Sequence, residues 1–272
     1  MELLLYYMTM SIVESVPGTK PSFWQRPWVA PLIVFVAAVA LWEGLVLIFQ
    51  PPVFLLPPPS LIWQSFAGQF AQLMGYGLNT FLEALGGFLI GCALGLLIAM
   101  VVARSPRLAE LLLPFAVASN SVPIVAMAPI ALVWFGIGPA SKVAIVAVMC
   151  FFPTMVSAVR GLTAASPDAV ALMRSYAASD WQIFVKLRVP TSLPFVFNAF
   201  KICTAVSMIG AIVAEFFGGA VNYLGVYLKT QASILKTPDA WAAIVVACGY
   251  GLLFYFVIAL LERWLMPWRR TQ

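Results

Sequence analysis

The stretch "ALGGFLIGCALGLLIAMVVA", residues 84–103, carries no charged side chain along its whole length. Roughly 20 apolar residues in a helix are enough to cross the ~30 Å hydrocarbon core of a bilayer. Small residues at helical spacing let a second helix approach the backbone closely, and here they are Gly86, Gly87, Gly91 and Gly95. The stretch therefore predicts a transmembrane helix that packs tightly against a neighbour.

Five further apolar runs lie before and after it. These predicted spans are Val29–Phe49, Leu111–Phe135, Val143–Val159, Ile202–Gly219 and Ala240–Leu261. The composition agrees, because 63% of the residues are hydrophobic and 9% are charged, whereas soluble domains are near half apolar. We expect an all-α integral membrane protein with six transmembrane helices in one domain, residues 29–264. Residues 1–28 are a predicted cytoplasmic lead-in and residues 265–272 a cytoplasmic tail.

The basic residues indicate the orientation of these spans, because lysine and arginine concentrate in cytoplasmic loops. With both termini in the cytoplasm, three of the 15 lysines and arginines fall on the outer side, namely Lys142, Lys229 and Lys236. The opposite orientation would reverse this ratio. The net charge of +5 is therefore interpreted as a signal of topology and not of nucleic-acid binding. The longest internal cytoplasmic loop, residues 160–201, joins spans four and five.

Side chains suited to enzymatic or metal chemistry are scarce. There is no histidine, and four cysteines lie far apart within apolar runs, at Cys92, Cys150, Cys203 and Cys248. Cysteines in such runs behave as small buried apolar residues, so we predict neither disulfides nor a metal site. Because carboxylates are not clustered either, the sequence offers no catalytic residues and disfavours a membrane-embedded enzyme. We expect this chain to bind no cofactor.

The long cytoplasmic loop contains "SYAASDWQIFVKLRVPTSLP", Ser175–Pro194, which combines charged and aromatic residues. The spacing predicts one amphipathic helix, or two with a turn near Ala177–Asp180. The predicted helical spacing begins before this stretch, with Asp168 in the first turn of the helix. Pro190 and Pro194 are expected to end the helix. The apolar positions are Val170, Leu172, Met173, Tyr176, Trp181, Phe184 and Leu187. Such aromatic side chains must pack on this domain or on a partner.

Four motifs resemble those of ABC importer permeases, the inner-membrane components of binding-protein-dependent transport systems. Residues Leu172–Pro194 are similar to their EAA loop, and Asn120–Gly138 is similar to the proline-rich third span of the nitrate, sulfonate, taurine and riboflavin or thiamin-precursor group. "LPPPS" at Leu56–Ser60 and "LLERWLMPW" at Leu260–Trp268 fit the same group. The resemblance implies a type I ABC importer permease fold in the bacterial inner membrane.

The resemblance also implies partners. EAA loops form coupling helices that insert into a groove on a separate ATPase, and this chain has no Gly-x-x-x-x-Gly-Lys phosphate loop of its own. ATP and Mg are therefore expected on two partner ATPase subunits, beside a second copy of the chain, making a homodimer, and an external substrate-binding protein. The implied coupling residues are Asp168, Met173, Arg174, Ser175, Tyr176, Ala177, Ala178, Asp180, Trp181, Phe184, Arg188 and Pro190.

Two positions depart from the family pattern. Ala171 stands where the family has its leading glutamate, and Ala177 stands where it has glycine. If Ala177 takes a left-handed conformation, it costs about 1 kcal/mol more than glycine would. The turn is therefore expected to be tighter or more helical than in relatives.

The substrate pathway is expected along spans three and five. Pro123 and Pro129 free backbone carbonyls, which is tolerated where helices pack or water enters, although a packed, kinked helix would explain them as well. Ionisable residues within spans are functional candidates by default, which favours Glu215 and leaves Glu43 open between a capped and a pathway role. The predicted pathway or gate residues are Ser119, Asn120, Ser121, Pro123, Met127, Pro129, Met208 and Glu215.

The predicted function is import of a small solute by alternating access. A heterocyclic vitamin or precursor, or a small aromatic acid, is favoured as substrate over sulfonate, taurine or nitrate, again by resemblance. The alternative is an ion-coupled secondary transporter without an ATPase, which would need an ion site at Glu43 or Glu215, and the sequence shows no inverted repeat. The scaffold subunit of a different ATP-driven vitamin importer fits the four motifs less well.

Overall fold

The computed structural model describes residues 29–105 and 123–267, together with the single positions 108, 111 and 114. Every regular element within these ranges is helical. In chain order they are α1 (Val29–Phe49), α2 (Pro59–Gly68), α3 (Phe70–Val102), α4 (Ile124–Phe135), α5 (Pro139–Thr163), α6 (Pro167–Ser175), α7 (Asp180–Ile183), a π-helical turn (Phe184–Arg188), α8 (Val189–Phe217), α9 (Leu224–Ser233) and α10 (Thr237–Leu265).

Five helical stretches in the described ranges are long and apolar enough to cross a membrane. They are α1, α3, α5, α10 and the continuous stretch Asp180–Phe217, which contains α7, the π-helical turn and α8. A shorter apolar helix, Ala126–Phe135, lies within α4. These helices confirm the predicted all-α membrane fold. They form because apolar runs of this length satisfy their backbone hydrogen bonds internally only as helices.

Several helices extend beyond the predicted spans. The helix α3 begins at Phe70 and runs for 33 residues, so its first turns lie in a segment that the sequence assigned to an outer loop. Polar side chains in those turns find partners on the segment before α9: Asn79 donates to the carbonyl of Asn222 at 2.9 Å, and Thr80 accepts from the amide of Leu224 at 3.0 Å. These tertiary contacts hold the polar turns in helical form.

The glycine stripe of α3 brings that helix against the backbone of α5. A methyl group added at Gly91 would overlap the carbonyl of Ala147, and one added at Gly95 would lie 2.7 Å from the carbonyl oxygen of Phe151. Backbone atoms cannot rotate away from such a clash as a side chain can. The close helix approach predicted for these glycines is therefore confirmed, whereas Gly86 makes only an ordinary contact with Val143.

Three cysteines from three helices meet in the core of the domain. Cys92, Cys150 and Cys203 are buried with free thiols, and the hydroxyl of Thr154 lies 3.3 Å from the sulfur of Cys92 and 3.6 Å from that of Cys203. Their predicted burial is confirmed, although the sequence separation gave no sign that they are neighbours. Burial of Cys248 was predicted wrongly, since it is exposed on α10, where the surface of a membrane helix is itself apolar.

The chain divides into two compact units, residues 1–60 and 61–272. In the first unit Glu43 of α1 accepts two hydrogen bonds from Ser60, one from its amide at 3.0 Å and one from its hydroxyl at 2.8 Å. Of the two roles left open for Glu43, the structure supports the capped one. The second unit contains the helix core and both candidate sites.

Candidate functional site

The long loop that the sequence predicts to be cytoplasmic forms two short helices with a defined turn between them. The helix α6 begins at Ser166, whose hydroxyl accepts from the amide of Ala169 at 3.2 Å, and it has Pro167 in its first turn. Asp168 also lies in this first turn, where a negative charge complements the helix dipole. The second helix, α7, begins at Ser179. Of the two forms that the sequence left open, the structure has the two-helix one.

Ala177 ends α6 in a left-handed conformation, with φ +55°. The amide of Ala177 donates to the carbonyl of Arg174 at 2.9 Å, and the amide of Ala178 donates to the carbonyl of Met173 at 3.1 Å. This is the Schellman arrangement, which glycine usually completes. The turn is therefore not more helical than a glycine turn, and the alanine carries the cost of about 1 kcal/mol that this conformation imposes on a residue with a β-carbon.

The helix α7 starts with a capping box. The hydroxyl of Ser179 accepts from the amide of Gln182, and the side chain of Gln182 accepts from the amide of Ser179 at 2.8 Å. This reciprocal pair satisfies two amides that would otherwise lack partners at a helix start. Both helices thus begin at hydrogen bonds made within the chain. We call residues 167–188 the coupling loop, after the role predicted for them.

The expectation that Pro190 and Pro194 end the helix is wrong. The π-helical turn Phe184–Arg188 precedes Pro190, and the amide of Val189 donates to the carbonyl of Phe184, five residues back. Pro190 then falls in the first turn of α8, where its missing amide hydrogen is tolerated. Pro194 lies inside α8, so the coupling loop continues into a membrane helix without an interruption.

The aromatic residues of the loop are mostly exposed, and one aliphatic residue is buried instead. Trp181 is 66% exposed and Tyr176 is 80% exposed, while Ile183 is 3% exposed. Trp181 stacks on Phe184 with ring centroids 5.7 Å apart. Ile183 thus holds the loop on its own domain, and the signal that could have found it is its spacing of four from Leu187. The exposed aromatics form a surface of the kind that binds other proteins.

A groove lies between this loop and the end of α3, and we call it the arginine groove. Its volume is about 440 Å³, and its lining residues are Arg104, Val170, Arg174, Asp180, Trp181, Ile183, Phe184 and Arg188. Arg174 lies 3.6 Å from Asp180, an exposed ion pair of a kind that contributes little to stability. Sequence reasoning gave Arg104 only a topological role, because nothing local shows that it meets the coupling loop.

The remaining predicted coupling residues lie at the edges of the loop. Ser175 donates its hydroxyl to the carbonyl of Leu172 at 2.7 Å, so it is satisfied within its own helix. Met173 is half-buried, and Pro190 is at the start of α8. These residues therefore support the shape of the loop, while Tyr176 and Trp181 project from it.

A second polar region lies where α3, α5 and α8 come together beside the start of α9, and we call it the buried charge cluster. It consists of Glu83, Lys142 and Glu215, which are 4%, 1% and 1% exposed. The carboxylate of Glu215 accepts from the amide of Gly225 at 2.6 Å. With Thr80, which accepts from Leu224, it satisfies the first amides of α9 from two other helices.

Lys142 is not in an outer loop, as the sequence suggested, but in the first turn of α5. Its ammonium group donates to the carbonyl of Ile137 and, at 3.0 Å, to that of Gly138. Among the described residues, neither oxygen of Glu83 accepts a hydrogen bond of ordinary geometry. Lys142, Glu215 and Tyr223 are the groups that act on its charge. Sequence reasoning missed this cluster because its residues are distant along the chain.

Tyr223 adds a donor at the edge of the buried charge cluster, just before α9. Burial raises the pKa of its hydroxyl, and the neighbouring carboxyl groups of Glu83 and Glu215 raise it further. The hydroxyl therefore stays protonated at neutral pH. The ring also faces Lys142, whose nitrogen lies 6.0 Å from the ring centroid.

The structure places the described pathway candidates in three different environments. Glu215 belongs to the buried charge cluster, Met208 is buried in the core beside Phe88 and Phe254, and Pro129 lies inside α4. Pro123 precedes α4 with an extended backbone, and Met127 lines a small apolar cavity of about 60 Å³. Ser119, Asn120 and Ser121 lie outside the described residues. Across the described ranges, no group of three or more His, Cys, Asp or Glu side chains could hold a metal ion.

Comparisons with known proteins agree on one family. The family model described as "Binding-protein-dependent transport system inner membrane component" matches residues 91–271. The chain is 30% identical over 244 residues to the formylaminopyrimidine transport permease protein ThiX of Halalkalibacterium halodurans, covering 89% of this chain and 96% of that protein.

Two further relatives extend the range of named solutes. The riboflavin transport system permease protein RibX of Chloroflexus aurantiacus is 29% identical over 245 residues, 88% of this chain and 90% of that protein. The taurine transport system permease protein TauC of Escherichia coli is 28% identical over 207 residues, 76% of this chain and 71% of that protein. The similarity thus extends well beyond the cytoplasmic loop.

Proposed function

We propose, since the chain belongs to the family of binding-protein-dependent transport system inner membrane components, that it is the permease subunit of an ATP-driven importer of a small solute. It is a multi-pass protein of the bacterial inner membrane. ATP and Mg would bind to two separate ATPase subunits, a second copy of this chain would complete the pathway, and an external binding protein would deliver the solute.

The proposed substrate is a heterocyclic vitamin or vitamin precursor, or a small aromatic acid. Two of the most similar relatives carry names for transport of formylaminopyrimidine and riboflavin. A sulfonate, taurine or nitrate is the second choice, and the resemblance to a taurine permease supports it. The pathway is proposed to pass Ser119, Asn120, Ser121, Pro123, Met127, Pro129, Met208 and Glu215, with specificity set mainly by the binding protein.

One observation supports the proposal: aromatic side chains are exposed on a pair of helices that have their own capping hydrogen bonds. Trp181 and Tyr176 project from α7 and α6, which are fixed by their own caps and by buried Ile183. An interface that is preformed in this way loses little conformational entropy on binding. Closure of two ATPases on ATP would pull the two copies of this loop together and switch the pathway between its outward and inward openings.

The loop is also continuous with a membrane helix, which gives motion a route into the bilayer. The stretch Asp180–Phe217 is helical throughout, with the π-helical turn as the transition from loop to span. Such turns occur frequently at functional sites. A displacement of Trp181 by the ATPase would therefore be transmitted directly along α8 towards the buried charge cluster.

The test is capture of partners by the tagged chain in mild detergent, followed by mass spectrometry. We expect an ATPase at one-to-one stoichiometry, lost in the double variant Trp181→Ala with Arg188→Glu. Trp63→Ala is a matched control, because Trp63 is also 66% exposed and also packs on a phenylalanine, Phe66, at 5.3 Å, but lies on α2 outside the coupling loop. A wild-type chain that purifies alone and transports in liposomes without ATP would contradict the proposal and support a secondary transporter.

A further inference from the structure

Three elements that are separate in sequence place an arginine around the arginine groove. Arg104 follows α3, Arg174 is in the last turn of α6, and Arg188 ends the π-helical turn. Arg104 and Arg188 also line an adjoining hollow of about 330 Å³. The two cavities therefore share these two guanidinium groups, which lie where the coupling loop meets the end of a membrane helix.

Among the described residues, the positive charge in the groove is only partly balanced. Arg174 has Asp180 as a partner at 3.6 Å, which leaves Arg104 and Arg188. Within the ranges that the structure describes, neither of these two has a carboxylate within ion-pair distance. The groove lining thus has three positive groups and one negative group. Like charges facing one small space repel each other, and an anionic group placed between them would relieve that repulsion.

The chemistry of the lining residues indicates which kind of chemical group the groove would bind. Guanidinium groups bind planar anions, carboxylate in particular, through two parallel hydrogen bonds. The same groove has an apolar wall made by Trp181 and Phe184, which stack on each other. Tryptophan and arginine together are characteristic of the energetically dominant parts of protein interfaces. A carboxylate carried beside apolar side chains on a protein surface matches both halves of the groove.

We propose that the arginine groove receives an aspartate or glutamate side chain of the ATPase subunit, which inserts between Arg104 and Arg188. This inference rests on the proposed function and adds the charge of the contact. The coupling loop then does not only dock its exposed aromatics on the partner but also accepts a residue from it. Arg104, which lies outside the loop, becomes part of the binding surface.

The experiment measures the affinity of the purified chain for the ATPase that co-purifies with it, in a neutral detergent. We expect Arg104→Glu and Arg188→Glu each to weaken binding about tenfold or more, because the partner's acid then faces a like charge. Binding by the wild type is also expected to weaken as sodium chloride is raised, since salt screens exposed charges. Lys186→Glu is the matched control, because Lys186 lies in the same π-helical turn but not in the groove lining, and it is expected to change affinity less than threefold.

A charge exchange provides the decisive step. Acidic residues of that ATPase are changed one at a time to arginine and paired with Arg104→Glu, and one pair is expected to regain affinity.

Equal weakening by Lys186→Glu would overturn the inference and leave the proposed function intact. Binding that changes neither with the two arginine substitutions nor with salt would do the same. Effects of Arg104→Glu that appear only when anionic lipid is added would assign the groove to a lipid headgroup and overturn it as well. Failure of the wild-type chain to bind any ATPase would instead defeat the proposed function itself.

Discussion

The buried charge cluster and the arginine groove lie at opposite ends of α8 and differ in the burial of their charged side chains. Glu215 is near the end of α8 and is 1% exposed, whereas Arg188 directly precedes α8 and lines an open groove. At 1.5 Å of rise per residue the two are about 40 Å apart. At one end, charged groups of opposite sign are therefore buried together, and at the other, two arginines have no carboxylate partner among the described residues.

This difference in burial predicts that substitutions in the cluster lower the stability of the fold, whereas substitutions in the groove weaken the binding of a partner. Charges buried together must be held by hydrogen bonds and opposite charges, because the interior does not solvate them. Removing one of them is expected to destabilise the fold. Charges and aromatics at the open groove are solvated in the single chain, so removing one is expected to leave the fold intact and to weaken binding instead.

The largest expected effect on stability is that of Lys142→Met. The change removes the donor to the buried carbonyls of Ile137 and Gly138 and the positive group that acts on Glu83 and Glu215, and each buried polar group left without a partner costs about 1–3 kcal/mol. Unfolding can be followed with a thiol-reactive dye in a Cys248→Ser background, because Cys92, Cys150 and Cys203 are buried and react only on unfolding. Lys229→Met is the control, since Lys229 is exposed. Equal losses from the two lysines would remove the distinction between the regions.

The second largest effect separates two residues within the coupling loop. Ile183→Ala is expected to lower the free energy of unfolding by about 2–3 kcal/mol, because it empties a buried position. Tyr176→Ala, at a position that is 80% exposed, is expected to change it by less than about 0.5 kcal/mol. The same dye assay measures both. A loss from Tyr176→Ala as large as that from Ile183→Ala would mean that the aromatic surface packs on this chain and not on a partner.

Glu215→Ala is expected to cost about 2 kcal/mol, since it removes the charged acceptor of the Gly225 amide. The effect should be local. Hydrogen exchange at the amides of Leu224 and Gly225 is expected to accelerate, while exchange within α6 is unchanged. Glu215→Gln keeps an acceptor oxygen and should retain part of the protection. Protection that is unchanged at Gly225 in the alanine variant would show that the carboxylate does not hold α9.

The smallest expected effect on stability is that of Ala177→Gly, which is expected to raise stability where the other substitutions lower it. Glycine takes the left-handed conformation of this turn without a steric cost, so the variant is expected to be more stable by about 1 kcal/mol. Ala178→Gly is the matched control at the next position, which has no positive φ, and it should bring no gain. Thermal unfolding of the two variants compares them, and a loss of stability in Ala177→Gly would contradict the backbone conformation.

Much of the fold and of the coupling loop follows from local sequence. The apolar runs determine the membrane helices because no other structure of that length satisfies its backbone in a bilayer, and α1 ends at Phe49, as predicted for that span. The glycine stripe predicts the tight contact with α5. Ser166 and Ser179 cap helices from positions adjacent to them. Each of these signals lies within one helix or directly beside it, and the sequence contains it in full.

The sequence by itself therefore determined that this chain is a helical membrane protein with a loop rich in aromatic residues between two of its spans. Only the tertiary structure decided which distant residues share a site: the buried charge cluster, the three thiols around Thr154, and the groove lined by Arg104 and Arg188. It also decided that Pro190 continues a helix, since the π-helical turn before it shifts the hydrogen bonding by one residue. The physical reason is that burial and charge pairing depend on neighbours in space, which the order of residues along a chain does not encode locally.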